Sequence, residues 1–278
     1  LDWAKAEQRD LPWRRTRDPW SVLVSELMLQ QTQVERVEPK YEAFLSAYPT
    51  PEACATASLG EIVTAWAGLG YNRRALNLHR CAQIIVASHG GQLPSDLAGL
   101  LALPGIGPYT ARAVLAFAFE ADVGVVDTNA ARVLARMGSS RLRPREAQDA
   151  ADAAVPAGTG WAWNQAMLDL GATRCRARSP HCGDCPVRRW CGWQGRGDDP
   201  AVGSAGVSGR QSAFEGSHRQ GRGRLVDALR RDGRVEHHEL ATVTGWPGDP
   251  ERARAAAQSL VDDGLASWDG RALVFSSR

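Results

Sequence analysis

"LPGIGPYTARAVLAFAF", Leu103 to Phe119, decides the fold. Gly105 and Gly107 permit a tight turn. Pro108 suits the first position of a helix. From Thr110 onward the apolar residues keep helical spacing. The stretch therefore reads as a Gly/Pro turn that opens an apolar helix. In such a turn backbone N–H groups converge at the helix N-terminus and can hold a phosphate oxygen without side-chain charge. A plain helix–helix connection uses the same residues, so the surroundings must decide between the two.

Helices flank the turn on both sides. "DPWSVLVSELMLQQTQVERVEPKYEAFLSAY" starts with Asp18 as N-cap and Pro19 at the first helical position, and Pro39 is expected to break or kink it. "LGEIVTAWAGLG" and "RRALNLHRCAQIIVASHGG" end on glycines. "TNAARVLARMG", "REAQDAADAAV" and "WAWNQAMLDLGA" read as three more helices. No clear alternating strand occurs up to residue 195, so the class is all-α. Residues 196–222, rich in Gly, Ser, Asp and Arg, have the composition of a flexible linker. Residues 223–278 then give three short helices and two strands around an Asp-Gly turn, resembling a winged-helix module. The sequence names no partner for that module.

The 278 residues are 44% apolar, enough for a real core. No apolar run approaches the roughly 18 residues of a membrane span. The N-terminal "LDWAKAEQRD" lacks an apolar signal core, so a cytoplasmic location is expected, on the nucleoid if the source is bacterial. Net charge is only +2, which excludes a polycation. Lys5 and Lys40 are the only lysines; every other cation is arginine, which suits bidentate phosphate contacts but also follows from codon composition.

Three features carry chemistry. Cys175, Cys182, Cys185 and Cys191 form C-x6-C-x2-C-x5-C, a spacing that argues for a metal site over disulfides. Zinc and an iron–sulfur cube both take four thiolates, and spacing leaves the choice open. Glu26 is an acid inside the apolar run "VLVSELML", costly to bury unless compensated. Asp127, in "VGVVDTNAARV", fits a helix N-cap, and a cap carboxylate can also point into a cleft and stay ionised. Cys54 and Cys81 lie in helical segments and read as buried free thiols.

These motifs, with "RDLPWR", "SELMLQQTQV", "LGY" and "NQAMLDLGA" in order, resemble the helix-hairpin-helix DNA glycosylases that carry an iron–sulfur cluster, and among them the MutY-type adenine glycosylases. The resemblance runs from about Asp2 to Cys191. It implies a glycosylase domain over residues 1–195, with a six-helix lobe (20–128) containing the hairpin and a cluster lobe (1–19 and 129–195). It implies a 4Fe–4S cluster on the four cysteines. The implied reaction is hydrolysis of the N-glycosidic bond of adenine mispaired with 8-oxoguanine or guanine, on a base flipped out of double-stranded DNA by a monomeric enzyme. Glu26 matches the acid that protonates adenine, and Asp127 the carboxylate that stabilises the sugar cation. Asn129 matches their polar partner. Tyr109 stands where bifunctional relatives carry a Schiff-base lysine, implying a monofunctional enzyme that leaves an abasic site. Arg9, Trp13, Leu29, Val34, Gln165 and Leu168 match residues lining the adenine pocket. Gln31 and Tyr71 match residues that enter the duplex at the lesion, and Gly105, Gly107 and Thr110 those of the DNA-binding hairpin.

Two departures stand out. Asn72 follows "LGY" where the family usually shows a second aromatic. No Nudix-like domain, which many relatives use to read 8-oxoguanine, is recognisable after residue 195. The alternatives are a thymine glycosylase acting on T:G mismatches, a bifunctional endonuclease on oxidised pyrimidines, and a non-catalytic winged-helix DNA-binding regulator.

Overall fold

The computed structural model describes residues 1–206 and 213–277. The helices, in chain order, begin with α1 (Asp2–Glu7), α2 (Pro19–Leu29), α3 (Val34–Ala47), α4 (Pro51–Thr56) and α5 (Leu59–Ala65). They continue with α6 (Arg73–His89), α7 (Leu97–Leu101), α8 (Pro108–Ala118), α9 (Thr128–Met137), α10 (Pro144–Ala154) and α11 (Gly160–Asp169). After the undescribed residues come α12 (His218–Asp232), β1 (Arg234–Glu236), α13 (Leu240–Thr244), α14 (Pro250–Asp262), β2 (Ala266–Asp269) and β3 (Ala272–Phe275). The all-α reading of the first 195 residues holds: the described strands all lie after residue 233.

Local chemistry explains most boundaries. The Asp18 carboxylate accepts from Ser21 N at 2.8 Å and starts α2. Pro39 does not break its helix, because α3 runs through it. The break falls earlier, at Gln30–Gln33, where Gln31 takes a φ of 56°. Ser58 and Glu61 form a reciprocal capping box at α5. At the hairpin, Gly105 has a φ of 73°, and a Cβ there would run into the Asn77 side chain. Gly107 is extended at φ −92° and has open space beside it.

The chain forms two compact units. One comprises Leu1–Leu23, Pro94–Ala102 and residues 106–206; the other Val24–Leu93, Leu103–Gly105 and residues 213–277. This differs from the lobes expected from sequence. α8 joins the cluster side because it packs on α11, and Arg112 on α8 pairs with Asp152 on α10 at 2.6 Å. Residues 213–277 fall in the same unit as α3–α6.

In the first unit α9 is central, its buried Ala130, Ala131, Val133 and Ala135 facing α10 and α11. Residues 196–206, expected to be linker, are packed here: Ser204 and Ala201 are buried, and Ala205 N donates to Leu142 O at 2.9 Å. The rest of that expectation falls partly on residues 207–212, which lie outside the described residues. It also falls partly on α12, which begins at His218 rather than 223.

In the second unit α4 packs on α6, and α12 packs on α5. The C-terminal sheet has the order β1-β3-β2, both pairs antiparallel. β2 and β3 are the two expected strands, with Ser267 opposite Val274 and Trp268 opposite Leu273. β1, three residues long and unseen in the sequence, pairs Val235 with Leu273. A Cβ on Gly60 of α5 would lie 3.1 Å from the Phe275 ring, so β3 ends against the helical bundle.

Candidate active site

Glu26 lies in the second unit, on α2, and is only 4% exposed. Val22, Leu23, Val24, Leu27 and Met28 around it along the helix are all buried. Leu29 and Val34 flank the turn that follows and are half-buried, while Gln31 is exposed. Tyr71 is also exposed, at 40%, with a φ of 46°. Gln31 and Tyr71 thus both stand out on left-handed backbone, a conformation costly for non-glycine residues and held only by strong surroundings.

That surrounding is Arg74, which sequence reasoning missed. It is 7% exposed. Its Nη1 donates to the carbonyls of Leu27 (2.8 Å), Met28 (2.8 Å) and Gln30 (2.6 Å). Its Nη2 donates to Leu69 O (3.1 Å), Gly70 O (3.0 Å) and Thr32 Oγ1 (3.0 Å). One guanidinium therefore fixes the end of α2 and the Leu69–Tyr71 loop together. Burial pushes its pKa down to about 10. In the sequence it is only the second of two arginines that open α6.

Asp127 lies in the first unit as the N-cap of α9. Its Oδ1 accepts from Asn129 N (2.8 Å) and Ala130 N (2.7 Å), and its Oδ2 from Asn129 Nδ2 (2.9 Å). The expected cap and the expected contact with Asn129 are both present. Burial raises the Asp127 pKa above the ordinary aspartate value and outweighs the bonds from Ala130 and Asn129. The segment leading to it is pinned by Asn164, which accepts from Val125 N at 2.8 Å and donates to Val123 O at 2.8 Å.

The other sequence-predicted residues of this unit are spread over three elements. Gln165 is buried and Leu168 half-buried on α11, and Trp13 is buried. Arg9, expected in the adenine pocket, is held by Asp169: Nε donates to Oδ1 at 2.6 Å. Arg14, buried and missed by the sequence reading, forks onto the same carboxylate at 2.7 and 2.9 Å. Burial alone would raise the Asp169 pKa, yet Arg14 and Arg9 hold it below the ordinary value. Thr110, in the first turn of α8, is 2% exposed. Gly105 and Pro108 are exposed, and Gly107 and Tyr109 are partly so.

Cys175, Cys182, Cys185 and Cys191 line one pocket together with Arg136, Leu170 and Trp193. Among the described residues no three His, Cys, Asp or Glu side chains close on a single ion. Four thiols walling one pocket fit a multi-atom cluster better than a lone zinc. α9 supplies the frame. Arg132 donates to Cys175 O at 2.7 Å and Gly171 O at 2.7 Å, and reaches back to Asn129 Oδ1 at 2.8 Å. Arg136, 1% exposed, donates to Arg176 O at 2.7 Å, to Cys175 Sγ at 3.3 Å and to Asp199 Oδ2 at 2.6 Å. The helix that Asp127 caps thus holds the cysteine loop from its other turns. Two arginines four residues apart on an apolar helix face were the available signal.

Residues 24–156 match the HhH-GPD superfamily of base excision DNA repair proteins. Residues 175–191 match the iron–sulfur binding domain of endonuclease III. The adenine DNA glycosylase of Mycolicibacterium smegmatis is 42% identical over 98% of this chain and 93% of its own length. The chain belongs to the adenine DNA glycosylase family. The family's Mycobacterium tuberculosis member (strain CDC 1551 / Oshkosh) is 43% identical over 98% of this chain and 90% of its own. The human member is 40% identical over 69% of this chain and 38% of its own. Among solved structures, a thermostable thymine-DNA glycosylase matches with a TM-score of 0.67 and 30% identity, covering 70% of this chain and 92% of that one. Family membership makes this chain a base excision repair DNA glycosylase with DNA as its partner, and the four cysteines a 4Fe–4S site. The mycobacterial matches, at 98% of this chain, also span the C-terminal module. No helix among the described residues is long and apolar enough to cross a membrane.

Proposed function

We propose that this glycosylase, acting as a monomer, hydrolyses the N-glycosidic bond of adenine mispaired with 8-oxoguanine or guanine in duplex DNA. The observation that carries the reading is Glu26: a carboxyl 4% exposed on an apolar helix face. Desolvation favours the protonated form of such a group, which then has a proton to give. In this reading Glu26 protonates the flipped adenine at N7 and makes it a better leaving group. Asp127 faces the electron-poor sugar as the bond breaks, and Asn129 holds its Oδ2. Tyr109 occupies the hairpin position from which a lysine would form a Schiff base, and Lys5 and Lys40 lie on α1 and α3. Water therefore completes the reaction and an intact abasic site remains. The cluster supplies a fixed shape to a DNA-facing loop, since glycosidic cleavage needs no electron.

The test is base release from duplexes holding adenine opposite 8-oxoguanine, adenine opposite guanine, and thymine opposite guanine. Release of adenine from the first two is expected, with Glu26→Gln lowering the single-turnover rate by about 100-fold or more. Release of thymine alone would overturn the substrate, and an unchanged Glu26→Gln rate would remove Glu26 as the acid. Borohydride trapping of a covalent adduct would contradict the monofunctional reading.

A further inference from the structure

The Leu69–Asn72 loop is held from beneath by Arg74 and from outside by the C-terminal module. α12 reaches it from both ends. Arg219, in its first turn, donates from Nη1 to the Tyr71 hydroxyl at 2.9 Å. Arg230, in its last turn, donates from Nη2 to Asn72 Oδ1 at 2.8 Å and to Val63 O at 2.8 Å. Arg73 adds an ion pair to Asp263 beyond α14 at 3.1 Å. Three consecutive residues, Tyr71, Asn72 and Arg73, are therefore gripped by one module.

Tyr71 needs such a grip. Its backbone is left-handed and its ring is 40% exposed. An exposed ring samples several rotamers, and ordering it on binding costs affinity. Here the Arg74 guanidinium lies 5.6 Å from the ring centroid and Arg219 holds the hydroxyl. Asn72, the departure from the family pattern, has a use in this arrangement: its amide oxygen receives Arg230.

We propose that the C-terminal module is a positioning device for Tyr71. Arg219 and Arg230 act as positioning residues that fix the ring before duplex DNA arrives, and Asn72 is the module's docking point. The proposal rests on the reading of Tyr71 as the residue that enters the duplex at the mispair. It assigns residues 213–277 to the glycosylase's own DNA engagement rather than to a separate partner.

A double-mutant cycle on the full chain tests it. Binding is measured on a duplex with 2′-fluoro-adenosine opposite 8-oxoguanine, whose glycosidic bond resists cleavage. Arg219→Met and Tyr71→Phe are each expected to weaken Kd about three- to tenfold, and the double variant no more than either alone, because both delete one hydrogen bond. Arg219→Lys should recover part of the loss. Single-turnover release at saturating Arg219→Met enzyme should stay within about twofold of wild type, a split between binding and chemistry. Losses that multiply would mean that Arg219 meets DNA directly, and no loss in Arg219→Met would mean that the ring needs no holding; either result overturns the proposal. Should Arg219→Met fold poorly, the same cycle on Arg230→Met and Asn72→Ala decides by the same rule. Wild-type enzyme that binds the duplex but releases no adenine from its cleavable counterpart would break the functional reading alone, and the binding cycle would still report on Tyr71.

Discussion

The cysteine loop and the Leu69–Asn72 loop are both organised by a buried arginine, on opposite electrostatic terms. Arg136 meets a carboxylate: although burial works against its charge, Asp199 and the Cys175 sulfur raise its pKa. Arg74 meets main-chain carbonyls and one hydroxyl among the described residues, and burial lowers its pKa to about 10. Its compensation comes from the C-terminal end of α2, whose carbonyls carry the negative end of the helix dipole. The cysteine loop is thus tied by an ion pair that a distant stretch of chain must deliver. The loop proposed to enter DNA is tied from beneath through its own main-chain carbonyls, while Arg219 and Arg230 hold its side chains. A cation that stabilises a loop next to a polyanion works best when its partners cannot be pulled away.

The comparison can be broken most forcefully at Arg136. Arg136→Met leaves Asp199 without its cation and the cysteine loop without its brace, and should cost about 3–5 kcal/mol. Urea midpoints and the visible absorbance of the cluster should fall together; a retained absorbance would mean the thiols alone hold the loop. Arg74→Met should cost less, about 2–3 kcal/mol, because the lost bonds are offset by removing the desolvation cost of the buried guanidinium. Its signature should be weaker binding of the mispaired duplex with an unchanged cluster spectrum.

Acid separates the two kinds of grip. Asp169, held by Arg14 and Arg9, has a pKa below its ordinary value. The stability it contributes is present above about pH 3.9 and is lost as pH falls through the lower folded-state value. Wild type and Asp169→Asn should therefore converge in stability as pH falls below about 3.9, whereas Arg74→Met should keep a constant deficit over that range. A constant gap for Asp169→Asn would show that the carboxylate's charge is not what matters there.

Much of this was legible in the sequence because it depends on local chemistry. The Asp18 and Asp127 caps, the hairpin turn at Gly105, the four-thiol spacing and the β2–β3 hairpin are each decided within a few residues. What escaped was decided at long range. Pro39 is the sixth residue of α3, and the helix runs through it. β1 is three residues that only β3 makes into a strand. Residues 196–206 have a linker's composition, yet Asp199 and Ser204 find partners 63 and 62 residues upstream. Arg74, Arg132 and Arg136 look like surface cations in the sequence, and only the carbonyls they meet reveal otherwise.

The two remaining cysteines give the molecule an internal reference. Cys54 and Cys81 are fully buried, burial pushes each thiol pKa to about 12, and the Cys81 thiol donates to Pro104 O in the hairpin at 3.2 Å. At neutral pH they hold almost no thiolate, the form that alkylating reagents attack. Any thiol that reacts in the folded, cluster-free chain therefore belongs to Cys175, Cys182, Cys185 or Cys191. Reaction of Cys81 would in turn announce that the hairpin had come loose from α6.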